Sequence, residues 1–419
     1  FNNAPQTNTS FAYDPFGNLT QTTDPANNQI NVSYDVMGHK IQLNDPDLGI
    51  INYSVDPVGR TWQQVSPNEK AKGQATTFKF DMLDRTISRL EPDLNSYFIY
   101  DVLGATGATL TAAQITSCQA SHSCGKQVES YTAPLANGNV GMINSTNSSK
   151  ESDTVTNFDS LGRPANSTVT LDASLNMTFY SETDYDVWGR PITQISQHGT
   201  DPQKVFDQRY NAFGYLQSVE RSGLTLWKAV SQDASNRVIT AHIATAGGAN
   251  DGLIVTRCYD TNTGRLDETV AAPVSASVAC GTTPAVATVM ESYYYDVLGN
   301  VNQRNEAWNQ GITGTVASQS FSEGFTYDGL NRILTSTVAN QAQQVFSYSA
   351  DGNILVNPTA GTYIYYTGGT SGAGPHAVKS VSGAPGTFTY DADGNQLTGN
   401  SRTNTWTSFD MPLNMAYSG

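Results

Sequence analysis

Residues 31–45 read NVSYDVMGHKIQLND. Val32 and Tyr34 alternate with Asn31 and Ser33, and further on Ile41 and Leu43 alternate with Lys40 and Gln42. Apolar residues at every second position are the mark of a strand with one covered face. Between the two runs stands Asp35-Val-Met-Gly38. An aspartate at the first position of a tight turn accepts a hydrogen bond from the backbone N–H two residues on. A glycine three residues after it supplies the positive φ that leads the chain into the returning strand. The stretch therefore predicts a β-hairpin.

The same letters return along the chain. Full copies are Tyr13-Asp14-x-x-Gly17, Tyr34-Asp35-x-x-Gly38, Tyr100-Asp101-x-x-Gly104, Tyr185-Asp186-x-x-Gly189, Tyr295-Asp296-x-x-Gly299 and Tyr390-Asp391-x-x-Gly394. Degenerate copies place Val55, Phe80, Phe158, Tyr210, Gln232, Tyr259, Tyr327 and Tyr348 at the tyrosine position, which makes fourteen in all. Most spacings lie between 20 and 27 residues. Where glycine is missing, Asp84, Asn236 or Asn331 replaces it. Asp and Asn are the side chains that best tolerate the left-handed region. The replacements thus follow backbone conformation and not acid–base chemistry. An isolated hairpin is marginal in water, so neighbouring hairpins must share a sheet. Fourteen hairpins imply about 28 strands, and an open twisted sheet of that length curls or winds. The predicted fold is all-β: tandem hairpins in a curved, spirally wound sheet, one array over residues 1–419.

Two segments interrupt the spacing. Residues 111–157 and 271–290 are rich in Ala, Ser, Thr and Gly and read as surface loops or irregular extra strands. No sustained helical period is present, so no helix longer than about two turns is expected. The four cysteines fall in or beside these segments. Three pairings are open to them. The sequence-local one joins Cys118 to Cys124 and Cys258 to Cys280. A metal site at Cys118, His122 and Cys124 lacks a fourth ligand, and free thiols are the alternative in a reducing compartment.

The chain has 419 residues and a net charge of −15, with only 14% of residues charged. That sign argues against nucleic acid and anionic membranes as partners, since both call for a basic surface. No apolar run reaches the roughly 20 residues that span a bilayer, and FNNAPQTNTS at the start does not read as a signal peptide. Abundant Asn, Thr, Ser, Gln and Gly with little Lys suit a secreted or cell-surface β-protein. The five histidines, His39, His122, His198, His242 and His376, are scattered. No zinc-protease, nucleophile-elbow or phosphate-loop motif occurs. No catalytic, cofactor or metal site is therefore read, and the turn aspartates spend their oxygens on backbone N–H groups. The 21 Tyr, 15 Phe and 5 Trp are chiefly packing residues, with stacking on sugar rings as the alternative use.

YDVMGHKIQL, YDVWGRPITQI, YDTNTGRLDETV and YDADGNQLTGN resemble the YD repeat of Rhs-type proteins. That family includes the C component of bacterial Tc toxins, contact-dependent polymorphic toxins, wall-associated proteins and the teneurins of animals. Residues 374–400 followed by TWTSFDMPLNM resemble the late part of bacterial arrays. The resemblance implies a hollow shell of spiralling sheet that encloses a toxic C-terminal cargo. Its partners would be that cargo and other segments of the shell. Many bacterial members end the array with a DPxGL-type motif at which an internal aspartyl protease acts. None of the five Asp-Pro pairs here, such as Asp14-Pro15 and Asp56-Pro57, reads so. The expectation is a fragment of an array, acting by enclosure and not as an enzyme. The alternative is an extracellular adhesin or glycan-binding repeat protein.

Overall fold

A computed structural model describes residues 7–103, 110–134, 151–171, 177–244, 251–276, 278, 280, 289–308, 319–368 and 373–417. The chain is nearly all β, with thirty-three strands among those residues. The first twenty-five share one antiparallel sheet, and the last eight form two four-stranded sheets. Successive strands pair. Gln29–Tyr34 runs antiparallel to Lys40–Asp45, with Val32 opposite Leu43. Lys40–Asp45 then pairs with Gly49–Val55 on its other side.

The register shifts by one residue just before the tyrosine in repeat after repeat, as between Ser33 and Tyr34, Arg209 and Tyr210, and Tyr294 and Tyr295. Asp35 to Gly38 forms a tight loop whose last residue is left-handed, and His39 closes it opposite Asp35. Tyr34 then pairs with Lys40 and Ser33 with Gln42, which leaves Ile41 as the extra residue of a bulge just beyond the turn.

This is not a sandwich around an apolar core. Among the described residues eleven hydrophobic side chains are buried, against thirteen polar or charged ones. Most strand residues are half-covered by cross-strand neighbours, and those pairs are what stabilise such a sheet.

Two helices interrupt the strands, and the second departs from the sequence reading. α1, Pro67–Lys72, starts at Ser66 with a capping box to Glu69 and ends at left-handed Gly73. α2, Ala112–Ala120, starts at Thr111 with a capping box to Gln114. Its nine residues make two and a half turns, longer than the two-turn limit expected, in a segment read as loop or irregular strand. Neither helix needed an apolar period: caps hold both, and α2 also carries Cys118 of a disulfide.

The chain divides into two compact units. One is built on Phe179–Val345 with Pro164–Asn166. The other holds the described residues up to Arg163, then Ser167–Thr178, and those from Phe346 on. In this second unit the late repeats lie against the early ones. Asn68 N–H and Ser66 Oγ–H donate to the Asp393 carboxylate at 2.8 and 2.7 Å. The backbone N–H of His376 donates to Asp47 Oδ1 at 3.0 Å, and that of Ser408 to Asp93 Oδ2 at 2.8 Å.

Candidate functional site, an interlocked set of turns

Most of the turns close in the same way. In the repeat at Asp35 the backbone N–H of Asp35 donates to His39 O at 2.9 Å and that of Gly38 to Asp35 O at 3.1 Å. Asp35 Oδ1 accepts from the backbone N–H groups of Met37 and His39, each at 2.9 Å. Oδ2 accepts from the side chain of the residue after the glycine. That residue is His39 here, Asn18 at Asp14, and Arg190 at Asp186. The bond from Asn18 holds the Asp14 carboxyl below its ordinary value, as do those from His39, Arg163 and Asn300 at Asp35, Asp159 and Asp296. At Asp81, Asp186 and Asp328 loss of solvent pushes the carboxyl up more than any single bond pulls it down, yet the backbone and arginine bonds together win.

The glycines Gly17, Gly38, Gly189, Gly299 and Gly394 have φ between 85° and 96°. Asp84, Asn236 and Asn331 sit at 61–62° in the same place.

The residue after the glycine also reaches the following turn. Arg60 Nη1 bonds Asp84 Oδ1 at 2.7 Å, Arg237 Nη1 bonds Gly264 O at 2.8 Å, and Asn300 Nδ2 bonds Asn331 Oδ1 at 2.9 Å. The guanidinium groups of Arg60, Arg85, Arg190, Arg237 and Arg265 lie 4.2–5.5 Å from the ring centres of Phe80, Tyr100, Tyr210, Tyr259 and Tyr295. Each ring is the aromatic of the next repeat, so each contact is a cation–π step between turns. The tyrosine hydroxyl then ties back. Tyr34 donates to Leu19 O, Tyr210 to Pro191 O, Tyr295 to Leu266 O and Tyr327 to Val301 O, at 2.7–3.0 Å. Each acceptor opens the second strand of the preceding hairpin. Tyr, Asp, Gly and the following Arg or Asn are thus one device, which locks a turn to itself and to its neighbour.

The remaining full copies fit the device unevenly. Tyr185 donates to Pro164 O at 3.2 Å and Tyr390 to Val378 O at 2.9 Å. Tyr13 is 61% exposed. The Asp101 turn is split open: Asp101 itself takes φ 69°, its N–H donates to Lys126 O at 2.8 Å, and the N–H of Gly125 donates to its carboxylate. Gly104 lies outside the described residues. The insertion carrying α2 therefore sits inside this turn, and Leu94–Tyr100 pairs across it with Gln127–Pro134. Cys118 is bonded to Cys124 within that insertion, and Cys258 to Cys280.

Two turns of the same kind were not read from the sequence. Asp24 N–H donates to Asn28 O, with Asn27 at φ 68° in the glycine place. Thr407 N–H donates to Met411 O, with Asp410 at 59°. Trp406 stands in the tyrosine place of the second, and its indole N–H donates to Gln396 O at 2.8 Å. The signal was present in both: a side-chain acceptor followed three residues later by Asn or Asp.

The tips of the turns differ in a telling way. Phe16, Met37, Met82, Val187, Trp188, Phe213 and Val297 are between 77% and 98% exposed. Where a tip is docked within the chain the same positions are polar, namely Asp393 against Ser66 and Asn68, and Ser408 against Asp93. A cleft of about 470 Å³ lies beside these joints, lined by Glu69, Asp93, Asp393, Asn404 and Trp406 among others. Burial pushes the Asp393 carboxyl up, against the pull of its bonds from Asn68 and Ser66.

These features define a class: antiparallel hairpins locked turn to turn by a repeated Tyr-Asp-x-x-Gly device. The family model described as RHS Repeat matches residues 13–48. No curated protein sequence matches the chain significantly. Its fold is similar to that of the crystal structure of TcdB2-TccC3, at TM-score 0.55 and 14% identity over 99% of this chain and 23% of that one. TcdB2-TccC3 without the hypervariable C-terminal region gives 0.54 and 14% over 96% and 22%. The chain thus spans less than a quarter of the length of these solved chains. Among the described residues no helix is long and apolar enough to cross a membrane.

Proposed function

We propose that the chain is a wall segment of an Rhs/Tc-type shell and that its function is enclosure of a toxic cargo. The observation that carries this reading is the locked ladder of turns. The residues repeated along the sequence make bonds within and between hairpins, and among the described residues buried polar side chains outnumber buried apolar ones. Such a sheet offers a polar surface on both faces, as a wall with solvent or cargo on either side requires. The similarity to TcdB2-TccC3 supports the same reading. Its place would be outside the cell or on its surface. Its partners would be the cargo and neighbouring shell segments, and the apolar turn tips suit contacts of the second kind. No turnover is assigned to it.

Limited proteolysis of the complete gene product tests this. A protease-protected domain is expected, and it should become cleavable when Arg265→Ala and Tyr295→Phe loosen the ladder. A product with nothing protected, and with saturable binding to immobilised glycans, would establish the adhesin reading instead.

A further inference from the structure

In the second unit, three carboxylates converge on one imidazole. His376 Nδ1 bonds Asp47 Oδ2 at 2.7 Å. Because a carboxylate only accepts, Nδ1 carries the hydrogen and Nε2 is the ring nitrogen left over. Nε2 lies 3.8 Å from Asp24 Oδ2 and 3.9 Å from Asp351 Oδ2. Those separations exceed hydrogen-bond range, and Nε2 makes no hydrogen bond among the described residues. The three ligand atoms lie within 4.8 Å of one another, the spacing at which three donors share one ion. The Asp351 side chain is only 8% exposed. Asn353 donates to its Oδ2 at 3.0 Å and Ser349 to its Oδ1. Asp24 is a turn aspartate held by Asn28 at 2.7 Å. Both carboxylates are thus fixed before any ion arrives. Even a protonated His376 would leave this group with a surplus of negative charge.

We propose that Asp24, Asp351 and His376 form a site for a divalent transition-metal ion of the zinc class. The donor set is one imidazole nitrogen and two carboxylate oxygens, with solvent free to complete the shell, as His376 is 41% exposed. An imidazole among the donors favours zinc-like ions over calcium or magnesium, which prefer all-oxygen shells. Asp47 acts from outside the shell: by accepting the Nδ1 hydrogen it fixes the tautomer and aims Nε2 at the ion. Bound there, the ion would staple the repeats at residues 351 and 376 to the repeat at residue 24.

The test is zinc binding by calorimetry on the whole chain after chelator treatment, paired with thermal melts. One Zn2+ per chain and a raised Tm are expected. Asp24→Asn, His376→Asn and Asp351→Asn should abolish both. Asp47→Asn should keep the stoichiometry and weaken affinity by about 10- to 100-fold. Substituted Co2+ should show an absorption spectrum that changes in His376→Asn, which separates lost ligation from lost folding. No stoichiometric zinc uptake, or uptake unchanged in His376→Asn and Asp24→Asn, would overturn the proposal.

Discussion

At the scale of the residue, the aspartate and glycine of each repeat close a turn, but the tyrosine is there for the neighbouring hairpin. Tyr327 Oη donates to Val301 O at 2.7 Å. Tyr327→Phe keeps the ring and removes that bond, so it should cost about 0.5–1.5 kcal/mol in denaturant unfolding. Tyr13→Phe is the control: Tyr13 is 61% exposed and its hydroxyl has no bond among the described residues, so stability should stay within about 0.5 kcal/mol. The glycine has a second duty as well. At Gly299, φ is 96° and an added Cβ would meet Arg265 Nη2 at 2.7 Å, whereas at Gly17, φ is 88° and nothing lies within 4 Å. Gly17→Ala should cost the left-handed penalty alone, about 1–2 kcal/mol. Gly299→Ala should cost more, because Arg265 must also leave the Tyr295 ring. Equal midpoint shifts for the two variants would show that the arginine seat contributes nothing.

At the scale of the element, the two helices show how a hairpin array admits foreign structure. α2 is spliced into the Asp101 turn, and the strands on either side still pair, with the Tyr97 and Tyr131 rings stacked at 5.0 Å. The Cys118–Cys124 bond ties the end of α2 to the chain returning to Lys126. Replacing both cysteines by serine should destabilise this insertion by about 2–4 kcal/mol. Hydrogen exchange is the measurement: the amides of Ala112–Ala120 should lose protection, while Leu94–Tyr100 and Gln127–Pro134 keep theirs. Uniform loss across all three would mean that α2 and the hairpin unfold together. Both helices carried readable caps, Ser66-Pro-Asn-Glu69 with Gly73, and Thr111-Ala-Ala-Gln114. A search for apolar period passes over them, since helices this short bury too little for a period to form.

At the scale of the whole molecule, the repeated carboxylates couple stability to acid. The turn aspartates, Asp14 and Asp35 among them, titrate below their ordinary value because the folded turn bonds the charged form. The unfolded chain therefore takes up protons first as pH falls. The stability these groups contribute is fully present above the unfolded value, near 4, and is lost as pH drops through the lower folded values. Melting temperature should accordingly fall steeply below about pH 4. Asp186→Asn, which also removes a partner of Arg190, should lower the Tm at neutral pH and flatten that fall. A Tm independent of pH between 5 and 2.5 would contradict it.

The hairpins and their all-β class were legible in the sequence because they rest on local rules. Alternation sets the strands, and the choice of Gly, Asn or Asp sets the left-handed residue, each within a span of a few residues. The turns at Asp24 and Thr407 were missed only because their aromatic or glycine letters are replaced, though the chemistry is retained. Tertiary structure decided the rest, because its partners lie far apart in the chain. The hydroxyl of Tyr295 finds an acceptor only once the preceding hairpin is in place. Asp393 becomes buried only when its turn meets Ser66 and Asn68. Asp24, Asp47, Asp351 and His376 give no motif in the sequence, since up to 352 positions (376 − 24) separate them. They become one group because folding sets late repeats beside early ones, and no local pattern encodes that adjacency.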